Sequence, residues 1–255
     1  FLANASYVKN EIKNLGNQTG YIDKESLPTL GTVSRNENGY PIGYFFGYKA
    51  IGVFQTQEEI DSYISPATGK PIQPNAAPGD TKFEDLNGDG VISDDNEDRT
   101  MIGKPNPDWM VGLTVAADWN GFDLSAFFQG SFGADVFDAL RRYELAAVNY
   151  TSDALERWTG PGTSNSMPRI VLGDTPKNFR PSTLLVHDAS FLRLRNLQVG
   201  YTLPAQLTRK AYIQRLRFYA SFDNLLTITG YKGMDPEIGS TMGIDKGVYP
   251  QARVY

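Results

Sequence analysis

The stretch that decides the fold is Trp109–Phe132, WMVGLTVAADWNGFDLSAFFQGSF. Val111, Leu113, Val115, Ala117 and Trp119 fall at every second position, separated by Gly112, Thr114, Ala116 and Asp118. A period of two is that of a strand with one apolar face. Asn120-Gly121 then supplies two residues that tolerate positive φ, as a two-residue type I′ turn requires. Beyond it Phe122, Leu124, Ala126 and Phe128 alternate with Asp123, Ser125, Phe127 and Gln129. The reading is an antiparallel hairpin of two long strands.

Working outward, FLANASYV (1–8) puts Phe1, Ala3, Ala5 and Tyr7 on one face and Asn4 and Ser6 on the other. In SFLRLRNLQVGYTLP (190–204), Leu192 and Leu194 share one parity and Leu197, Val199 and Tyr201 the other. Keeping all five on one face requires a bulge near Asn196. RLRFYASFDNLLTI (215–228) aligns Leu216, Phe218, Ala220, Phe222 and Leu226 against Arg217, Tyr219, Ser221 and Asp223. YPQARVY (249–255) reads as a strand cut short.

The connections are unequal. Asn120-Gly121 is minimal and Pro204–Gln214 modest, whereas Ser131–Ser190 holds roughly 60 residues, beyond the usual loop range. Within it ADVFDALRRYELAAV (134–148) has helical spacing and WTGPGTSNSMP (158–168) loop composition. Short turns at one end and long loops at the other are the asymmetry of an outer-membrane barrel. A soluble β-sandwich alternates in the same way. Trp109, Trp119, Tyr201 and Tyr219 near strand ends suit a membrane girdle or a sandwich rim. Arg193, Arg195 and Arg217 lie among apolar neighbours, and the cost of about 2–4 kcal/mol for a lipid-facing arginine at the midplane leaves them pointing into the lumen or lying near the periplasmic rim, off the lipid face in either case.

Composition removes several functions. The net charge of -5, with no clustering of Lys and Arg, excludes a nucleic-acid binder. With no cysteine and a single histidine, His187, the chain has no disulfide, thiolate site or multi-histidine zinc site. There is no leader and no apolar run of about 18 residues, which excludes helical spans only. Glu58-Glu59 and Asp94-Asp95 lie in polar stretches, no nucleophile elbow surrounds His187, Asp188 and Ser190, and GTVSRNENG lacks the end of a phosphate loop. The chain reads as no enzyme.

DLNGDGVISDD (85–95) carries the one ligand-like pattern. Asp85, Asn87 and Asp89 fill positions 1, 3 and 5 of an EF-hand loop, Gly90 the sharp turn at 6, Val91 the carbonyl at 7 and Ser93 position 9. The twelfth position, ordinarily a bidentate Glu, is Asn96. Oxygen atoms at alternate positions suit Ca2+, bound structurally; an Asx-rich turn without metal is the other reading. The flanks PGDTKF and MIGKPNPDW are not the paired helices of a calcium sensor.

Three blocks carry a resemblance: GYPIGYFFGYKAIGVFQTQEEI (39–60), PGDTKFEDLNGDGVISDDNEDRTMIGKPNPDWMVGL (78–113), and SFLRLRNLQVGYTLP with LRFYASFDNLLTITGYKGMDPEIG, spanning Ser190 to Gly239. In that order and spacing they resemble the C-terminal part of SusC/RagA-type TonB-dependent outer-membrane transporters of the Bacteroidota. The resemblance implies an all-β fold, an antiparallel transmembrane β-barrel segment from a plugged barrel of about 22 strands. Residues 1–255 are then the C-terminal barrel segment, incomplete at both ends, with neither plug nor TonB box. Residues 78–103 become a calcium-loop-like extracellular insertion and 131–190 a long extracellular loop with a short helix. The family's closing acid corresponds to Asp98, leaving the last ligand among Asp94, Asp95 and Asp98. The implied partners are the N-terminal barrel and plug of the same protein, a SusD-like surface lipoprotein, TonB, outer-membrane lipid, and an oligosaccharide or peptide substrate. Trp158, Tyr143, Tyr150 and Tyr231 are candidate loop aromatics for substrate. Competing readings are a siderophore or vitamin receptor and a secreted calcium-binding β-sandwich.

Overall fold

The structure, a computed structural model, describes residues 1–94, 97–141, 149–237, 242–247 and 249–254. The strands in chain order are β1 (Leu2–Tyr7), β2 (Tyr21–Leu27), β3 (Gly31–Glu37), β4 (Tyr44–Tyr48), β5 (Ala50–Val53), β6 (Thr81–Phe83) and β7 (Arg99–Gly103). They continue as β8 (Trp109–Trp119), β9 (Phe122–Phe132), β10 (Asp135–Asp138), β11 (Val186–Asp188), β12 (Phe191–Thr202), β13 (Arg217–Thr229) and β14 (Ile244–Asp245). The helices are α1 (Gln57–Ser62) and α2 (Ala205–Thr208), with short 3-10 turns such as Ser152–Glu156. Among the described residues no helix is long and apolar enough to cross a membrane, which says nothing of a β-barrel.

The four long strands and β1 form one antiparallel sheet in the order β1-β8-β9-β12-β13. Its register sorts side chains cleanly. Trp109, Leu113, Val115 and Trp119 lie opposite Phe132, Phe128, Ala126 and Phe122 on one face. Leu124 continues that row to Val199, which pairs with Ala220. The sequence needed a bulge near Asn196, and the register shifts between Leu194 and Asn196 against both neighbours. The shift carries Leu192, Leu194, Leu197, Val199 and Tyr201 onto the apolar face.

That face is uncovered. Leu113, Leu124, Val199, Phe218, Leu226 and Ile228 are all exposed, and among the described residues no strand of the other sheets pairs with this one. A β-sandwich would bury this face against a second sheet; here it is open. Its ends are aromatic. Tyr7 and Trp109 pack at 4.9 Å at one end, Phe122 and Tyr201 at 4.5 Å at the other. From Trp109 to Trp119 the strand makes ten steps of about 3.4 Å, and a tilt near 40° reduces that length to about 26 Å, the height of the apolar band on a barrel wall. Tyr219 departs from the girdle expectation: it has the parity of Arg217, opposite to Phe218, and faces inward.

All long connections leave from the Trp109–Phe132 end, and the two short ones, Asn120-Gly121 and 203–216, close the other. The long connections fold into a layer with its own core. Leu27, Val33, Phe45, Phe137, Leu185 and Ile244 come together there from distant stretches. The small sheets are β2-β3-β4-β7, β5-β6 and β11-β10-β14.

One expectation fails in this layer. Helical spacing was read over 134–148, but Asp135–Asp138 is β10, antiparallel to β11 and parallel to β14. Val136 and Phe137 are adjacent and both fully buried, because β10 is the centre of a small sheet packed on both faces. Consecutive apolar residues on such a strand mimic helical spacing. Residues 142–148, including Tyr143, lie outside the described residues.

Candidate functional site

Two groups of polar residues stand out. The first is the loop 85–98. Asp85 accepts the N–H groups of Gly88 (2.8 Å) and Gly90 (2.9 Å) on its two carboxylate oxygens. Asn87 Oδ1 accepts from Asp89 N at 3.0 Å, and Asp89 Oδ1 from Val91 N at 2.8 Å. Gly90 has φ +88°, and a Cβ there would stand 2.7 Å from the Ser65 side chain, so glycine is required twice over.

Asp98 closes the loop. Its Oδ1 accepts from Leu86 N at 3.1 Å and its Oδ2 from Ser93 N at 3.0 Å, so it ties the second and ninth residues of the pattern together. The side chain is wholly buried, at 0% exposure. No lysine or arginine among the described residues lies within ion-pair distance of it. A buried carboxylate without a cation is costly unless a metal or several hydrogen bonds compensate it. Of the expected ligands, Asp85, Asn87, Asp89 and Asp98 are thus knitted into one loop, while Val91 is exposed and the Ser93 carbonyl is taken by the Tyr48 hydroxyl at 2.7 Å. Among the described residues no group of three or more Asp, Glu, His or Cys converges as a metal cluster. A set resting on two or three acids plus amide and carbonyl oxygens draws on more than such groups, and Asp95 and Asn96 lie outside the described residues.

The second group lines the inner face of the wall. Arg193 on β12 meets Asp235 at 2.5 Å and Glu237 at 3.2 Å. Arg195, at the bulge, meets Glu237 at 2.6 Å and donates to Gln129 Oε1 at 2.7 Å. Near the short-turn end Arg217 reaches Asp123 at 2.5 Å and Gln198 at 3.2 Å. The arginines point inward, and within this chain they meet acids and amides, two of these partners coming from the segment that follows β13. Asp235 also accepts the N–H groups of Glu237 and Gln251, both at 2.9 Å. Backbone pairing of Asp223 with Val254 then lays the end of the described chain alongside β13.

No protein-family model matches the chain. It is 33% identical to TonB-dependent receptor P3 of Formosa agariphila over 228 residues, 85% of this chain and 22% of that protein. It is 30% identical to TonB-dependent receptor P26 of the same organism over 96% of its length, and 29% identical to TonB-dependent receptor SusC of Bacteroides thetaiotaomicron over 99%. A solved structure of the RagAB peptide transporter superposes with a TM-score of 0.72 at 27% identity, over 98% of this chain and 25% of that one. The chain belongs to the SusC/RagA-type TonB-dependent receptors.

It spans between 22% and 25% of the curated receptors it matches. The five-stranded sheet is accordingly a segment of a transmembrane β-barrel wall, with its apolar face outward and its loops gathered at one end. Its relatives are named receptors and transporters, and this receptor segment is not an enzyme. Tyr231, a candidate substrate contact, is instead buried, with its hydroxyl on Asp245 at 2.6 Å. Trp158 is held locally by a 3.1 Å bond to Gln55; Tyr150 is exposed. Sequence reasoning missed Asp235 and Glu237 as arginine partners, although both lie in the quoted MDPEIG stretch.

Proposed function

We propose that this chain forms the C-terminal wall and the extracellular loops of an importer in the outer membrane, driven by TonB and capped by a SusD-like surface lipoprotein. The observation that carries the reading is the open apolar face, bounded at both ends by aromatic rings. Such a face is stable in hydrocarbon and a liability in water. The relatives named SusC and RagAB favour this over a siderophore or vitamin receptor. The cargo is an oligosaccharide or a peptide, and the RagAB transporter is named for peptides. Fractionation of cells carrying the intact receptor tests the reading. The receptor is expected in the outer membrane, co-purifying with a surface lipoprotein; recovery as a water-soluble protein refutes it.

We further propose that the loop 85–98 holds a structural Ca2+ in the intact receptor, through Asp85, Asn87, Asp89 and Asp98 with Val91 and Ser93 contributing oxygens. The buried carboxylate of Asp98, with no lysine or arginine within ion-pair distance among the described residues, supports this. The ion would pin a loop that leads directly into β7. Calorimetric titration of the intact receptor with calcium is expected to give heat that disappears in the Asp85→Ala, Asp89→Ala double variant. Absence of heat from the unaltered receptor contradicts it.

A further inference from the structure

Guanidinium groups and aromatic rings alternate through the loop layer. Arg35 lies 4.0 Å from the Tyr21 ring centre and 3.6 Å from that of Phe46. Arg99 lies 4.3 Å from Phe46 and 5.7 Å from Tyr48, and Arg180 lies 4.8 Å from Tyr48 and 4.9 Å from Phe83. Each guanidinium lies within cation–π reach of two rings. A guanidinium over a ring still presents its in-plane N–H edge to other partners, the geometry that suits a planar carboxylate.

The row ends beside a cavity of about 520 Å³ bordered by the turn at 29–32, Tyr48, Arg99 and the segment 173–181. Arg99, Lys177 and Arg180 bring three positive charges to it, and Asp94 and Asp174 bring two negative ones. The acids are unequal. Both oxygens of Asp174 accept backbone N–H groups, from Asn178 and Phe179 at 2.8 Å. Asp94 is a surface group, 66% exposed, bonded to Lys177. Arg180 is under-served: its Nε donates to the Lys177 carbonyl at 3.1 Å, while its Nη1, shielded from solvent, has no acceptor within hydrogen-bond reach among the described residues. The Asp94 carboxylate stands 3.9 Å from that nitrogen. Burial pulls Arg99 down to about 10, which still leaves it charged at neutral pH.

We propose that this cavity binds a carboxylate carried by the imported molecule, with Asp94 as the internal stand-in that the ligand displaces. The inference rests on the import reading above and narrows it to acidic cargo. Arg180 and Lys177 would pair with the incoming carboxylate, and Tyr48 and Phe83 hold the Arg180 plane in place. Asp94, on the exposed side, competes for the same cations.

Calorimetry on the detergent-solubilised intact receptor tests this with tetraglutamate and oligogalacturonate, which carry the same carboxylate on a peptide and on a sugar, and with maltotetraose as neutral control. At least one acidic probe is expected to bind, more weakly as salt rises, and the one that binds identifies the backbone. Arg180→Gln is expected to weaken that binding by tenfold or more. Asp94→Asn, a surface change, is expected to tighten it severalfold, which a merely structural role for the residue does not produce. No binding of either acidic probe, or weaker binding in Asp94→Asn, overturns the proposal. The import reading fails separately: a receptor in the outer membrane that ignores both acidic probes refutes the cavity alone, and carboxylate binding by a receptor absent from that membrane refutes import alone.

Discussion

Arg193 and Asp235, 42 residues apart in the chain, meet at 2.5 Å on the inner face of the wall, at 2% and 5% exposure. The pair folds the segment after β13 back onto the strand before it. Removing one partner of a buried pair leaves a charge in low dielectric and costs about 3–5 kcal/mol. Arg193→Met is therefore expected to release 230–237, read as faster hydrogen exchange and protease cleavage there in the intact receptor. The double variant Arg193→Met, Asp235→Leu, with no charge left over, is expected to recover part of the protection. Unchanged exchange in the single variant contradicts the latch.

The same latch is acid-sensitive. Burial alone would raise the Asp235 carboxyl, but the Gln251 N–H, Arg193 and the Glu237 N–H outweigh it and hold the group below its ordinary 3.8. A carboxylate depressed in the folded state stabilises fully above its unfolded value and loses that contribution as pH falls through the folded one. Protection of 230–237 is expected to stay flat from neutral pH to about pH 4 and to fall below it. In Asp235→Asn the acid-dependent fall should vanish.

Adjacent residues on β12 give a paired test of the wall. Val199 pairs with Leu124 and Ala220 on the open face, and Gln198 with Ser125 and Ser221 on the inner one. Val199→Arg is expected to cost up to about 2–4 kcal/mol of membrane stability, seen as reduced assembly of heat-resistant receptor. Gln198→Arg should assemble normally.

The short turn makes its own demand. Gly121 has φ +89°, and a Cβ there would stand 2.8 Å from the Thr202 carbonyl oxygen. Gly121→Val is expected to destabilise the hairpin by at least about 1–2 kcal/mol, from the left-handed backbone alone. Urea unfolding of the receptor in lipid vesicles measures it.

The wall was legible because every rule at work in it is local. Val111 to Trp119 alternates, Asn120-Gly121 turns, and even the bulge between Leu194 and Asn196 follows from the parity change between Leu194 and Leu197. The loop layer was not, because its order is set by distant contacts. β10 is a strand only since Val186 and Ile244 lie on either side of Phe137. Helix α1 was missed although Thr56 and Glu59 give it a capping signal: Thr56 accepts from Glu59 N at 3.3 Å, and Glu59 reaches back to Gln55 N at 2.8 Å. In the loop 85–98 the spacing located Asp85, Asn87 and Asp89, but only the fold shows Asp98 buried and bonded to Leu86 and Ser93.

The central claim is that one face of this sheet meets hydrocarbon. This segment has no cysteine, so in a receptor with any cysteine elsewhere replaced by serine a single spin label can be placed at Leu113, Leu124, Val199 or Phe218, and at Ser125, Gln129 or Gln198, and the protein embedded in outer membrane. Collision rates with oxygen, which concentrates in lipid, and with a water-soluble nickel chelate then report each label's surroundings. The first four positions are expected to be oxygen-accessible and chelate-protected, and the other three the reverse. Chelate access at Leu113, Leu124, Val199 and Phe218 would contradict the account.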